Sequence, residues 1–373
     1  MTPSIQMSLP VQFPVSPMLA KATKGVPAAD SVVGGLSYEP KWDGFRMLVF
    51  RDGANIALQS RNGEDLTYCF PEILEPLLAS TPDRCVLDGE LVIAHDGRLW
   101  FEELTGRIRP RKEAGGWKID ELAAEFPVSY VGFDLLALGD EALLGTAFRD
   151  RRSLLETTLA GAEAGVHLTP STGDDAVAAR WFGQFEGAGL DGLVCKPWDG
   201  HYQPGVRSLL KVKHSRTADV VVAGWRAHKN PGPDGSPMVG SLLLGLHDAH
   251  GFLNHVGVAS SFTAARRHEL VALLAPYESE ISEHPWSAWG GSPDTATGRR
   301  PGGVSRWTGG KDLSFTLLRP ELVCEVAYDH MEGDRFRHTT QFQRWRPDRT
   351  PKSCTYDQLE RPITFDINTI LHR

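Results

Sequence analysis

Nothing in the 373-residue sequence stays apolar for the roughly 20 residues that cross a bilayer, and no charged leader with an apolar stretch opens it. A membrane span and a secretory signal are therefore not expected, and the cytoplasm is the expected compartment. Cysteine is scarce. Cys69, Cys85, Cys195, Cys324 and Cys354 stand far apart with no Cys-x-x-Cys pair, which excludes a zinc ribbon and a disulfide framework and leaves reduced thiols. Internal repeats and heptads are missing as well. So is a basic excess: the formal net charge of −8, taken alone, argues against a polyanionic partner, since such binding runs on Lys and Arg releasing counterions.

What is present is ordinary globular protein, 41% hydrophobic and 23% charged, long enough for two cores. The charge is unevenly spread. Residues 207–216, RSLLKVKHSR, carry four basic side chains and no acid, and residues 335–352 carry six against one acid, so two local basic patches survive the acidic total. Residues 37–60 predict two strands meeting at Asp52-Gly53, and 85–101 a second hairpin turning at Asp96-Gly97. A short buried strand is expected over 130–138, helices over 148–159 and 175–189, and a strand over 191–196. Strands and helices mix irregularly, which favours α+β over repeated βαβ units. From about residue 217 the texture changes to successive short strands (ADVVVAGW, VGSLLLGLH, FLNHVGVA), a helix over 263–276 and a further strand over 321–331, the pattern of a small β-barrel. Residues 283–312, rich in Gly, Pro, Ser and Trp, read as a long loop.

One stretch is dense in charge where a strand should begin: Glu39-Pro40-Lys41-Trp42-Asp43-Gly44-Phe45-Arg46. An isolated lysine there would be a solvated surface group. As a nucleophile, a lysine of ordinary pKa near 10.4 must lose a proton at a cost of about 4 kcal/mol near neutral pH. Neighbouring cations or a metal lower that cost, and Lys196, Lys211 and Lys213 lie in or beside strand segments suited to flank Lys41.

Lys41 to Arg46 fits K-x-D-G-x-R, and the segment resembles the nucleophile motif of covalent nucleotidyltransferases: ATP-dependent DNA ligases, RNA ligases and mRNA capping enzymes. Six further stretches resemble the family's other motifs in their order. They are Ser60-Arg61-Asn62-Gly63, Leu87-Asp88-Gly89-Glu90, Phe133-Asp134, Asp191-Gly192-Leu193-Val194-Cys195-Lys196, Leu210-Lys211-Val212-Lys213 and Arg344-Trp345-Arg346-Pro347-Asp348-Arg349. The likeness is greatest to ATP-dependent DNA ligases of the short, two-domain bacterial LigC class. Asp191 replaces the usual Glu, and Arg349 stands where Lys is frequent.

The resemblance implies a nucleotidyltransferase (adenylation) domain over 1–216 and an OB-fold barrel over 217–373. It further implies a lysyl-AMP intermediate on Lys41, with Glu39 accepting from the adenine amino group, Phe133 stacking on the base, and Arg46, Arg61 and Arg207 on ribose or phosphate oxygens. Lys196, Lys211 and Lys213 would neutralise the α-phosphate, and Arg344, Arg346 and Arg349 would orient pyrophosphate. Glu90 and Asp191, with Asp43 as a further candidate, would bind Mg²⁺ or Mn²⁺. The implied co-substrate is ATP and the implied partner a nick in duplex DNA, sealed in repair by a monomer, with a repair polymerase or primase as a possible associate. Only 40 residues precede Lys41, too few for the helical DNA-binding domain of larger relatives, so the core itself is expected to grip DNA, helped by Arg299, Arg300, Arg306 and Lys311 of the long loop. RNA ligation, GTP-dependent capping, or nucleic-acid binding with a dead nucleotide pocket are the competing readings.

Overall fold

The computed structural model describes residues 7–108, 116–232, 235–280, 282, 284–286, 314–329, 331–359 and 364–371. The chain divides into two compact units. The first comprises Met1–Lys213 together with Pro362–Arg373, and the second His214–Arg361.

The first unit is built on two sheets. In one, the strands run Leu19–Thr23, Arg207–Val212, Leu193–Pro197, Leu36–Pro40, with only the first pair parallel. Because side chains alternate across a strand, this sheet has one apolar face, Leu36, Tyr38, Leu193, Cys195 and Val212, packed with Ala178 of the helix Asp175–Gln184. Its other face carries Glu39, Val194 and Lys211, directly opposite one another in register, with Lys196 two residues along.

The second sheet runs Val166–Leu168, Ser129–Leu138, Arg84–Val92, Phe45–Asp52, Asn55–Ser60. The hairpin turning at Gly53 forms as the sequence predicts, with Asp52 opposite Asn55. Residues 85–101 differ from expectation. Arg84–Val92 is a central strand paired on both sides, and only Ala94–His95 and Arg98–Leu99 fold back on each other at Asp96-Gly97. The near-continuous burial of Cys85 to Val92 explains this, since a strand covered on both faces belongs inside a sheet. The helix Phe148–Leu159 has the predicted bounds. Asp175–Gln184 begins on the Asp174 carboxylate, which accepts from the N–H groups of Ala176 and Val177, and its 3₁₀ continuation stops at Gly189.

The second unit is a closed barrel in the order Arg216–Ala227, Val239–His247, Leu253–Ser260, Thr340–Trp345, Thr316–Tyr328. Its core includes Val220, Val222, Leu242, Leu244, Val256 and Val326, and Leu270 and Leu274 of the helix Ala264–Leu274. Thr340–Trp345, read from the sequence only as a basic stretch, is the strand that closes it. The loop residues Arg299, Arg300, Arg306 and Lys311 lie outside the described residues.

The expected second domain, 217–373, is corrected at its end. Ile367, Ile370 and Leu371 are buried against Trp42, Val92, Leu99 and Leu190 of the first unit, because an apolar segment following the barrel needs a core and finds this one.

Candidate active site

Lys41 does not enter a hairpin. It starts the link between Leu36–Pro40 of the first sheet and Phe45–Asp52 of the second, so its side chain stands where the sheets exchange the chain. Two backbone bonds fix this link: Lys41 N–H donates to the Gly192 carbonyl at 2.8 Å, and Asp191 N–H to the Lys41 carbonyl at 2.9 Å. Close approach dictates both motif glycines. A Cβ on Gly44 would lie 2.0 Å from the Leu91 carbonyl oxygen, and one on Gly192 2.0 Å from that of Val212.

Above this scaffold, Lys41 Nζ donates to Asp191 Oδ2 at 2.7 Å, and Lys213 Nζ approaches the same oxygen at 3.1 Å. Burial works against the Asp191 anion, but the two ammonium groups outweigh it and hold its carboxyl well below the usual range. Asp191 therefore acts first as a bridge between lysines.

Glu39 is almost fully buried. Its Oε2 pairs with Lys196 Nζ at 2.8 Å, whereas Oε1 lies 3.8 Å from the nearest Arg152 nitrogen and accepts no hydrogen bond. Burial raises the Glu39 pKa against the pull of Lys196 and Arg152. Lys196 also donates to the Phe133 carbonyl at 2.6 Å and sits over the Phe133 and Phe148 rings, 4.9 and 4.6 Å from their centroids. A buried, unused acceptor beside an aromatic ring is suited to an exocyclic amino group on a stacked base.

Arg46 is held from behind. Its guanidinium donates to both oxygens of Asp88, at 2.9 and 2.5 Å, and to the Met18 carbonyl at 2.6 Å. The Tyr202 hydroxyl donates to Asp88 at 2.6 Å and accepts from Met18 N–H at 3.0 Å, which closes the ring of bonds. Opposite Arg46 in register stands Glu90, whose pKa burial pushes up to about 7 despite Lys41 and Arg46. Lys211 is moved the other way, downward, by burial and by the repulsion of Lys213, Lys41, Arg207 and Arg61. The charged groups that act most on it are all cations, which makes this end of the site a place for an anion.

A cavity of about 190 Å³ gathers Glu39, Lys41, Arg46, Arg61, Glu90, Phe133, Lys196, Arg207 and Lys211. The structure thus brings nine predicted residues together and places Asp191 in direct contact with Lys41, with Lys213 on the same Asp191 oxygen. Asp43 is buried beside them in sequence. Arg344, Arg346 and Arg349 lie in the second unit, where they pair with Glu325, Asp219 and Asp348, so the first unit's cavity is complete without them. Among the described residues, no three His, Cys, Asp or Glu side chains form a metal-binding group. Glu90 has the chemistry for a divalent cation, being a hard oxygen donor whose charge is costly where it stands; Asp191 is already neutralised by two lysines.

Sequence reasoning missed the residues that hold these in place. Asp88 was the detectable one, a carboxylate within an apolar strand and therefore in need of a partner. Asp134 sends the same signal, and its carboxylate accepts two bonds from Arg151, tying the helix Phe148–Leu159 to the strand that carries Phe133. Tyr202 and Arg152 carry no local signal.

Residues 17–213 match the family model for the ATP dependent DNA ligase domain, and residues 235–349 that for the ATP dependent DNA ligase C terminal region. The chain is 51% identical to DNA ligase C2 of Mycolicibacterium smegmatis, over 95% of this chain and 97% of that protein. It is 49% identical to DNA ligase C of Mycobacterium tuberculosis, over 98% and 99%. Identity to the multifunctional non-homologous end joining DNA repair protein LigD of Mycobacterium tuberculosis is 31%, over 87% of this chain and 38% of that protein. Among solved structures, a Lig E DNA ligase superposes with a TM-score of 0.51 at 18% identity, covering 88% of this chain and 99% of the other, a likeness of fold.

Proposed function

The chain belongs to the ATP-dependent DNA ligase family, and on that premise we propose that Lys41 takes AMP from ATP and that the enzyme passes it to the 5′-phosphate of a nick in duplex DNA. The carrying observation is one cavity lined by Lys41, a buried free acceptor at Glu39 and the cations Arg61, Arg207 and Lys211. One end reads a base and the other receives phosphate.

Lys41 Nζ attacks the α-phosphorus of ATP in line with pyrophosphate departure. The nitrogen–phosphorus bond forms as the bond to the bridging oxygen breaks and its electron pair leaves with pyrophosphate; the ammonium proton passes to solvent before attack, since Lys41 is partly exposed and Asp191 is too weak a base to keep it. Asp191 holds the ammonium in place, and Lys211 and Lys213 meet the charge that gathers on the phosphoryl oxygens. Arg46, fixed by Asp88, and the exposed Arg61 and Arg207 bind ribose or phosphate. Glu90 would hold Mg²⁺ or Mn²⁺, with Asp191 or Asp43 as the next oxygen donors; such an ion supplies further charge neutralisation on phosphate. Arg344, Arg346 and Arg349, paired with Glu325, Asp219 and Asp348 in the second unit, stay candidates for pyrophosphate on the motif resemblance alone. The adenylated 5′-phosphate is then attacked by the 3′-hydroxyl, joining the strands with release of AMP. Service in repair fits the similarity to the end joining protein.

Glu39 sets the choice of nucleotide. Its free Oε1 accepts from the amino group of adenine, whereas guanine presents a carbonyl at the same position. Glu39→Ala is expected to raise KM for ATP on the order of 10- to 100-fold, the cost of a hydrogen bond to a charged group, while leaving use of GTP as poor as before. Steady-state labelling with each nucleotide measures this; equal losses for purine ribonucleotides lacking the amino group would contradict it.

The Glu90 carboxyl gives a pH signature. Burial raises its folded pKa from the ordinary carboxylate value of 4.5 to about 7, so the folded chain binds this proton more tightly than the unfolded one. The contribution is fully present below pH 4.5 and is lost as pH rises through 7. In EDTA the melting temperature of wild type should therefore fall between pH 5 and 8, as differential scanning fluorimetry would report. Glu90→Gln should flatten that fall, leaving the trend from Glu39, whose pKa is raised in the same sense. Asp191 acts oppositely, losing its contribution only as pH falls below the ordinary carboxylate range.

A further inference from the structure

We propose that the C-terminal segment, residues 364–371, is a positioning element for Lys41. It lies outside both matched family regions, which end at residues 213 and 349. The inference rests on the reading of Lys41 as the acceptor of AMP.

Ile367, Ile370 and Leu371 are 0%, 5% and 4% exposed, and they belong to one small cluster with Trp42, Val92, Leu99, Val131, Phe185 and Leu190. Two members of that cluster matter most. Trp42 immediately follows Lys41, and Leu190 immediately precedes Asp191. Lys41 and Asp191 are the residues joined by the 2.7 Å ion pair and by the 2.9 Å backbone bond. The segment thus packs into the cluster that anchors both strands of this connection. Polar contacts fix its seat: Ile367 N–H donates to the Gly97 carbonyl at 2.8 Å, Asp366 caps the terminal turn through Asn368 N–H at 2.9 Å, and the Phe365 ring lies 4.8 Å from that of Phe185.

Trp42 is restrained at both ends of its indole. The nitrogen donates to the Thr169 hydroxyl at 2.8 Å, and apolar packing with this cluster restrains the rest. Without the segment the apolar restraint is weakened, since three of the cluster's buried members are lost, and the backbone at residue 41 gains freedom. The larger core of the same unit, around Met47, Val49, Leu87 and Tyr130, contains no residue of the segment, so its loss falls on the nucleophile's support more than on the fold. Displacement of a reacting group by about 1 Å is enough to cost on the order of 100-fold in rate. Ile367, Ile370 and Leu371 act through Trp42 and touch no substrate.

The test replaces Ile367→Ala and Leu371→Ala together in the full chain and follows transfer of AMP from α-labelled ATP. The turnover of lysine labelling should fall on the order of 10- to 100-fold, with KM for ATP unchanged. A chain ending at Arg361 should show the same loss, and a synthetic peptide of residues 362–373 added in trans should restore labelling. Wild-type labelling by the double variant would overturn the proposal. So would a rise in KM that tracks thermal destabilisation and resists the peptide, which marks a role in stability alone. Failure of wild type itself to label would strike the reading of Lys41 on which the inference rests, and is separately visible.

Discussion

Lys41→Ala is expected to abolish formation of the enzyme–AMP adduct and, with it, sealing of a 5′-phosphorylated nick in the presence of ATP. The loss should be at least about 1,000-fold, as when an enzyme is deprived of its nucleophile. The reason lies in the geometry. Of the other amines in the site, Lys196 is buried and engaged by Glu39 and the Phe133 carbonyl, and Lys213 shares Asp191, which leaves Lys211 as the one alternative carrier to check. The variant should retain its fold, because Lys41 is partly exposed and its backbone bonds to Asp191 and Gly192 do not need the side chain. It should also join a nick whose 5′-phosphate is already adenylated far better than it joins an unactivated one, since the final step needs no amine nucleophile. Gel separation of the two substrates measures both; equal failure on the preformed adenylate would show that Lys41 does more than carry AMP.

Asp88→Ala should produce the largest loss of stability among the site residues. Asp88 is fully buried and receives two bonds from Arg46 and one from Tyr202; its removal leaves the Tyr202 hydroxyl without that acceptor and Arg46 with the Met18 carbonyl alone. Taking one partner from a buried ion pair costs about 3–5 kcal/mol. In a domain of this size that corresponds to a fall in Tm on the order of 10 °C. Affinity for ATP should fall as well, because Arg46 loses the support that aims its guanidinium. Asp88→Asn, which preserves shape and one acceptor, should recover part of the stability but less of the affinity. If thermal melting of Asp88→Ala matched wild type, the ring through Met18 and Tyr202 would not be holding Arg46.

Much of this site was legible because its residues sit in short, ordered motifs and because alternation assigns faces. Glu39, Lys196 and Lys211 share one face of a sheet by the period of two, and the apolar residues between them form the opposite face. Which strands neighbour one another was not legible. That Val194 lies between Glu39 and Lys211 is a long-range fact of pairing, and so is the interior place of Arg84–Val92, which local turn chemistry at Asp96-Gly97 suggested was half of a hairpin. Asp191 illustrates a finer limit. Its motif suggested a metal ligand, whereas contact with two lysines makes it their common counter-ion. The seat of Ile367 in the cluster that includes Trp42 had no sequence signal, since an apolar residue after a barrel says only that it will be buried.

The central claim is that one lysine carries the nucleotide. Incubating the protein with ATP and a divalent metal, stopping the reaction before nicked DNA is supplied, and mapping the modified peptide by mass spectrometry tests it directly. AMP should appear on the peptide containing Lys41 and on no other lysine, and should be discharged when nicked duplex is added. AMP on Lys196, Lys211 or Lys213, or an unmodified protein that nevertheless seals nicks, would contradict it.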